Sequence, residues 1–185
     1  MPVIKTDKEA IVLQSIQLFK LHGYYSTTMA DIGEACGLIK GSIYHYFRSK
    51  EELALECLKQ IHSYFDKEIF SIARDPVAAP QQKLRHFCKA VERYFLNSKG
   101  GCLLGNFALE ISNNIPLLKA EIVAYFTDWE KALYNILRPA FSNAAARAKA
   151  RQIVSATQGN IMLMRLYGST DGFKAHIRET SKLLD

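Results

Sequence analysis

The 185 residues carry a net charge of +6 and are 49% hydrophobic, which is enough chain for one substantial core, or a small module joined to a larger one, and too apolar for general disorder. No window approaches the roughly 18 consecutive apolar residues of a membrane span, and Met1–Ala10 lacks the apolar stretch of a signal peptide; the cytoplasm is the expected location and a membrane is not an expected partner. Cys36, Cys57, Cys88 and Cys102 lie 21, 31 and 14 residues apart, which fits neither a metal knuckle nor a disulfide framework, so they read as reduced thiols.

Apolar residues recur at helical spacing nearly throughout and no alternating β-branched run marks a strand, so the chain reads as all-α with about nine helices. Thr6-Asp7-Lys8-Glu9 has capping-box spacing, and Ile11, Val12, Ser15, Ile16 and Phe19 then mark one face of a helix ending near His22-Gly23. Thr28-Met29-Ala30-Asp31 opens a second helix, with Met29, Ile32 and Ala35 inward and Gly37 at its end. A short third helix is predicted from Lys40 to Tyr46. Ser49-Lys50-Glu51-Glu52 is another capping box, and the helix it opens is predicted to run through Leu53, Leu58, Ile61, Phe65 and Ile69 almost to Arg74.

The stretch from Asp75 to Pro80 interrupts the pattern. Beyond it Leu84, Phe87, Cys88, Val91, Tyr94 and Phe95 form one stripe, ended by Ser98-Lys99-Gly100-Gly101. Leu103–Ile111 makes the next helix, ended by Asn113-Asn114. From Pro116 to Leu137 the apolar positions cover a wide arc, as in a helix buried on more than one side. A helix over Asn143–Tyr167 follows, and after Gly168 a last one over Thr170–Leu184 with Phe173, Ile177, Thr180 and Leu184 on one face.

A capped short helix, a glycine turn and a second short helix are the ingredients of a helix-turn-helix, whose second helix enters the DNA major groove. Ile43 and Phe47, four residues apart, can bury together, which leaves Lys40, Ser42, Tyr44, His45 and Tyr46 on the other faces. A hydroxyl, an imidazole and an ammonium bond base edges or phosphate oxygens, and Gly41 allows close backbone approach. Lys50 falls in the first turn of the next helix, where unpaired N–H groups and the dipole favour a phosphate. The bland alternative is that these rings pack and these charges only solvate the surface.

Thr27-Thr28-Met29-Ala30-Asp31-Ile32, Gly37, Lys40-Gly41-Ser42-Ile43-Tyr44-His45-Tyr46-Phe47 and Ser49-Lys50-Glu51-Glu52-Leu53 resemble the signature of the TetR/AcrR family of bacterial transcriptional regulators. The resemblance spans about residues 6 to 55. It implies a helix-turn-helix DNA-binding domain over residues 1–50 and an effector-binding and dimerisation domain over 51–185. By position it implies phosphate contacts from Thr28, Tyr44, Tyr46 and Lys50, and base or near-base contacts from Lys40, Ser42 and His45. Ile39 stands where the family commonly has Ser or Thr, so the recognition helix lacks its usual N-cap hydroxyl, a loss worth about 1 kcal/mol. Either a neighbouring group caps it, or the helix is less ordered without DNA.

A ligand-responsive repressor needs an effector site, and Phe87, Cys88, Val91, Phe107, Ile111, Tyr125 and Trp129 are the candidates. Their apolar character points to a small apolar or aromatic effector, although an aromatic stripe at helical spacing is core more often than cage. In Gly100-Gly101-Cys102-Leu103 the thiol stands at a helix start, where the dipole favours the thiolate. Some relatives with a similar Gly-Cys-Leu segment resemble electrophile or redox sensors, which would make Cys102 the sensor thiol; the plain alternative is a small residue filling a tight helix start. For a homodimer, Ile153, Ala156, Asn160, Ile161 and Met164 with Phe173 and Ile177 could build a four-helix interface matching a palindromic operator in double-stranded DNA. No metal-ligand spacing, phosphate loop or adjacent nucleophile and base is present, so no enzyme, cofactor or metal is expected. The alternatives to a repressor are a redox or electrophile sensor of the same architecture and a helical ligand-binding protein without DNA.

Overall fold

The computed structural model describes residues 8–111 and 114–185. Thr6 and Asp7 of the first expected capping box, and Asn113 at the expected end of the sixth helix, lie outside them. Among the described residues there are nine α-helices: α1 Lys8–His22, α2 Met29–Ala35, α3 Lys40–Tyr46, α4 Lys50–Glu68, α5 Pro80–Leu96, α6 Leu103–Ile111, α7 Pro116–Leu137, α8 Asn143–Tyr167 and α9 Asp171–Ser181. The all-α expectation is met, with no strand among the described residues.

Two helices differ from their expected spans. α4 ends at Glu68, and Phe70–Arg74 tightens into a 3-10 turn after Ile69 leaves helical geometry at φ −121°, ψ −56°. Three residues per turn set Phe70 and Ala73 on one side, and both are buried. Arg74 reaches back, its guanidinium donating to Asp66 Oδ1 at 2.8 Å and to the Asp66 carbonyl at 2.9 Å, so a cation satisfies the carbonyl-rich end of α4. α9 stops at Ser181, three residues short of the expected Leu184, after its buried positions Phe173, Ile177 and Thr180 are used up.

The chain divides into two compact units. The first takes the described residues up to Ile61 together with Leu103–Ile122, so α6 belongs with α1, α2 and α3 although some forty residues of the other unit precede it. Its core holds Ile11, Phe19, Tyr24, Ile32, Ile43, Phe47, Leu53 and Phe107, all at 2% exposure or less. α6 joins it because Phe107 packs edge-on to Phe19 and Tyr24, with centroids 5.4 Å and 5.5 Å away. Rings in that arrangement add to the free energy of burying their area.

The second unit takes His62–Cys102 and Val123–Asp185. α9 packs on α5 and α8, and the centre is an aromatic cluster. Trp129 stacks on Phe95 at 6.2 Å and 8°, with Phe65 at 5.5 Å, Tyr125 at 5.7 Å and Phe70 at 6.3 Å. Arg85 closes the far end of this unit by donating to the Asp185 carboxylate at 2.6 Å.

Candidate nucleic-acid interface

Thr28 caps α2 through a full capping box: the Asp31 amide donates to Thr28 Oγ1 at 3.2 Å, and the Thr28 amide donates to Asp31 Oδ2 at 2.8 Å. The Thr28 amide and hydroxyl together hold the Asp31 carboxyl below its ordinary range. Gly33 then brings α2 and the start of α3 into direct contact. A Cβ there would lie 2.9 Å from the Leu38 carbonyl oxygen and 3.4 Å from the Lys40 nitrogen, so only glycine fits the approach without a backbone shift. Ile43 and Phe47 are fully buried and anchor α3. Thr28, Lys40, Gly41, Tyr44, His45 and Tyr46 are exposed, and Ser42 is half-buried. The helix therefore offers an ammonium, two phenols, an imidazole and a hydroxyl over its free surface.

Ile39 occupies the N-cap of α3 in extended geometry with no side-chain cap, and it is 77% exposed. Little apolar burial is lost by changing it, so Ile39→Ser is expected to raise stability by about 1 kcal/mol. The check is a shift of the urea unfolding midpoint with an unchanged slope.

Lys50 is turned inward. Its ammonium donates to the Tyr24 carbonyl at 2.9 Å and the Thr27 carbonyl at 3.1 Å, and it lies 4.3 Å from the centre of the Tyr24 ring. Its charge thus sits on the turn between α1 and α2, where it holds two carbonyls that no helix satisfies. The Tyr24 hydroxyl donates to Glu51 Oε1 at 3.1 Å, so α4 grips that turn at two points.

The residues expected at an effector site fall in both units. Phe87, Cys88, Val91 and Trp129 line one void with Leu133, Ile153, Thr157, Ile177 and Thr180, and its volume is only about 10 Å³, at the limit for a single water. Tyr125 joins the same cluster through Trp129. Phe107 and Ile111 are core residues of the first unit. A larger groove of about 540 Å³ with a mixed apolar and polar lining runs between α7 and α8; two of its cations are engaged, Arg147 lying 4.7 Å from the Tyr134 ring and Arg151 pairing with Glu130 at 3.5 Å.

Cys102 immediately precedes α6 and is 4% exposed. Tyr94 and Tyr125 are its polar neighbours, and burial first, then the Cys102 thiol, raises both phenols. Burial also pushes Cys88 up to about 12. Of the dimer candidates, Ile161, Phe173 and Ile177 are buried within their own unit, while Ile153, Ala156, Asn160 and Met164 are half-exposed. Beside them on α8, Met162, Leu163, Leu166 and Tyr167 are exposed apolar side chains. Among the described residues no group of three His, Cys, Asp or Glu could hold a metal ion, and no helix is long and apolar enough to cross a membrane.

Sequence reasoning did not single out Gly33, Tyr24 or Glu110. An isolated glycine inside a helical pattern was the available signal for Gly33. For Glu110, whose carboxylate meets the Tyr24 amide 86 residues away, no local signal exists.

Residues 11–57 match the family model of bacterial regulatory proteins of the tetR family, and residues 77–179 match that of the C-terminal domain of LmrA/YxaF-like transcriptional regulators. The chain is 26% identical over 165 residues to HTH-type transcriptional repressor DhaR of Mycobacterium sp. (strain GP1), covering 86% of this chain and 82% of that one. It is 26% identical over 161 residues to HTH-type transcriptional regulator LmrA of Bacillus subtilis (strain 168), covering 85% of each. The crystal structure of a TetR transcriptional regulator from Legionella pneumophila shares the fold, with a TM-score of 0.88 over 100% of both chains at 22% identity.

Proposed function

Because the chain belongs to the TetR family, DNA-binding transcriptional regulators with a ligand-binding C-terminal domain and not enzymes, we propose that it is a cytoplasmic homodimeric repressor released from a palindromic operator by a small apolar effector. The observation that carries the reading is α3 itself: Ile43 and Phe47 are buried at 0% exposure, and the hydrogen-bonding side chains between and before them face outward. In this reading Lys40, Ser42 and His45 take base edges and Thr28, Tyr44 and Tyr46 take phosphates, while Lys50, expected from the sequence to take a phosphate, instead spends its ammonium on the Tyr24 and Thr27 carbonyls. Gly41, whose Cβ position is open space, lets the DNA backbone come close.

The dimer face is α8 with α9. Half-exposed Ile153, Ala156, Asn160 and Met164, continued on the same helix face by exposed Leu163 and Tyr167, give the largely apolar strip that a second copy covers across a two-fold axis. The effector enters the aromatic cluster around Phe87, Cys88, Val91, Tyr125 and Trp129. The void there is about 10 Å³, so a ligand displaces side chains on entry, and that displacement is the work that alters DNA affinity.

Selection of bound duplexes from a random DNA library tests the function. The repressor reading expects a palindrome that Tyr44→Ala and His45→Ala lose, with affinity falling in salt by a log–log slope of roughly −0.9 per neutralised phosphate. An effector-free dimer that enriches no duplex overturns it.

Two further outcomes are expected. His176 accepts or donates at 2.9 Å with Thr157 Oγ1, and burial holds its imidazole below the ordinary value, opposed by Glu179 and a backbone contact to Ile153. A group kept neutral by the fold loses nothing above its unfolded pKa. As pH falls below about 6.5 the unfolded chain takes the proton first, so stability drops until the folded-state pKa is reached. The thermal midpoint is therefore expected to fall between pH 7 and pH 5.5 by more in the wild type than in His176→Gln. For the thiols, half-buried Cys36 is expected to react with a disulfide reagent before buried Cys57, Cys88 and Cys102. Labelling of Cys102 as fast as Cys36 would show that its segment opens in the native protein and would favour the sensor reading.

A further inference from the structure

We propose that Glu110 of α6 is the positioning residue of the helix-turn-helix: its carboxylate clamps the turn between α1 and α2 and so fixes the recognition helix behind it. The Tyr24 amide donates to Glu110 Oε2 at 2.8 Å, and the Tyr25 amide approaches the same oxygen at 3.4 Å. Gly23 is where the carboxylate enters. Its φ is +84°, and a Cβ there would lie 2.6 Å from Oε1 and 2.9 Å from Oε2, so any side chain would expel the carboxylate. Phe107, one turn earlier on α6, sets the approach by packing on Phe19 and Tyr24.

The same short turn is held from its other side by α4, through the bonds of Lys50 to the Tyr24 and Thr27 carbonyls and of Tyr24 to Glu51. Its N–H groups therefore answer to α6 and its C=O groups to α4. Thr28, four residues beyond the clamped amide, is the N-cap of α2, and α2 meets α3 at the tight Gly33 contact. Glu110 is thereby joined to Lys40 through the turn, α2 and the Gly33 contact. A carboxylate accepting from an amide is also roughly twice as strong as a neutral pair, which suits one residue to holding a turn that two helices share.

The functional consequence rests on the DNA-binding reading, and the test separates the two. Full-length wild type, Glu110→Ala and Glu110→Gln are compared by amide hydrogen exchange, by affinity for the selected duplex and by urea unfolding. Loss of a charge-assisted bond is expected to speed exchange of the Tyr24 amide about tenfold in Glu110→Ala, with the α2 and α3 amides following. Operator affinity is expected to fall about tenfold as well, under conditions in which both proteins are fully folded. Glu110→Gln keeps a neutral acceptor oxygen of the same reach and is expected to recover part of both losses, a rescue that general destabilisation would not track. Wild-type exchange from Tyr24 to Tyr46 in Glu110→Ala, or wild-type operator affinity in that variant, would overturn the clamp. If the wild type selects no duplex while Glu110→Ala still loosens α2 and α3, the clamp stands and the DNA reading fails.

Discussion

Gly33→Ala is expected to weaken operator binding by about 5- to 150-fold, the range that follows from losing one good base contact worth about 1–3 kcal/mol. The added methyl would sit 2.9 Å from the Leu38 carbonyl oxygen, closer than van der Waals contact allows. Because the obstacle is backbone, no rotamer change relieves it. The link between α2 and α3 has to move, while Ile43 and Phe47 keep the far end of α3 in the core at 0% exposure. The strain therefore falls on the first turn of α3, which carries Lys40 and Ser42. Overpacking of this kind also costs about 1–3 kcal/mol of stability. Gly41→Ala is the matched control. Its Cβ meets nothing within 4 Å, and alanine is the better helix former, by at most about 1 kcal/mol at this first-turn position. The fold is expected to gain stability, and any affinity lost reports the approach of DNA alone. Fluorescence anisotropy with the selected duplex, run beside urea unfolding, distinguishes the pair: Gly33→Ala lowers both quantities, and Gly41→Ala lowers only affinity. Full affinity in Gly33→Ala would mean that the position of α3 does not depend on this contact.

Trp129→Ala is expected to destabilise the regulatory unit by about 3–5 kcal/mol, a large share of the roughly 5–15 kcal/mol that holds a typical domain. Trp129 is 1% exposed and meets Phe95, Phe65, Phe70 and Tyr125 with centroids between 5.5 Å and 6.3 Å. The neighbouring void is only about 10 Å³, so the cluster is close-packed and little space exists into which the other rings can collapse. Removing the indole leaves an apolar cavity, which is expected to stay dry and to accept a flat aromatic molecule. Added indole should then restore part of the unfolding midpoint, by an amount that grows with its concentration. Far-UV circular dichroism is the suitable probe, because the chain has one tryptophan and the variant has no indole fluorescence. A loss below about 1 kcal/mol, within the scatter of ordinary surface changes, would show that the cluster yields readily and that a ligand needs little work to open it.

The gap between those two predictions marks the division of labour in the molecule. Under the proposed function, the N-terminal unit depends on a few close backbone approaches, where tenths of an ångström decide which side chains reach a base, and the second unit on packed area, where an entering ligand competes with the protein's own rings.

Much of this was legible in the amino-acid order alone. The spans of α3, α6, α7 and α8 and the capping roles of Thr28 and Ser49 follow from helical periodicity and from side chains that reach backbone only three residues away. The inward pair Ile43 and Phe47 and the outward faces of α3 are equally local. Tertiary structure alone decided the rest. It turned Lys50 onto the Tyr24 and Thr27 carbonyls, drew α6 into the N-terminal unit, buried Cys102 to 4% and tightened the end of α4 into a 3-10 turn. It also brought Glu110 to an amide 86 residues distant. Periodicity and capping are properties of a few neighbouring residues, whereas a contact across 86 residues depends on which apolar faces the whole chain buries together, and no short pattern encodes that choice.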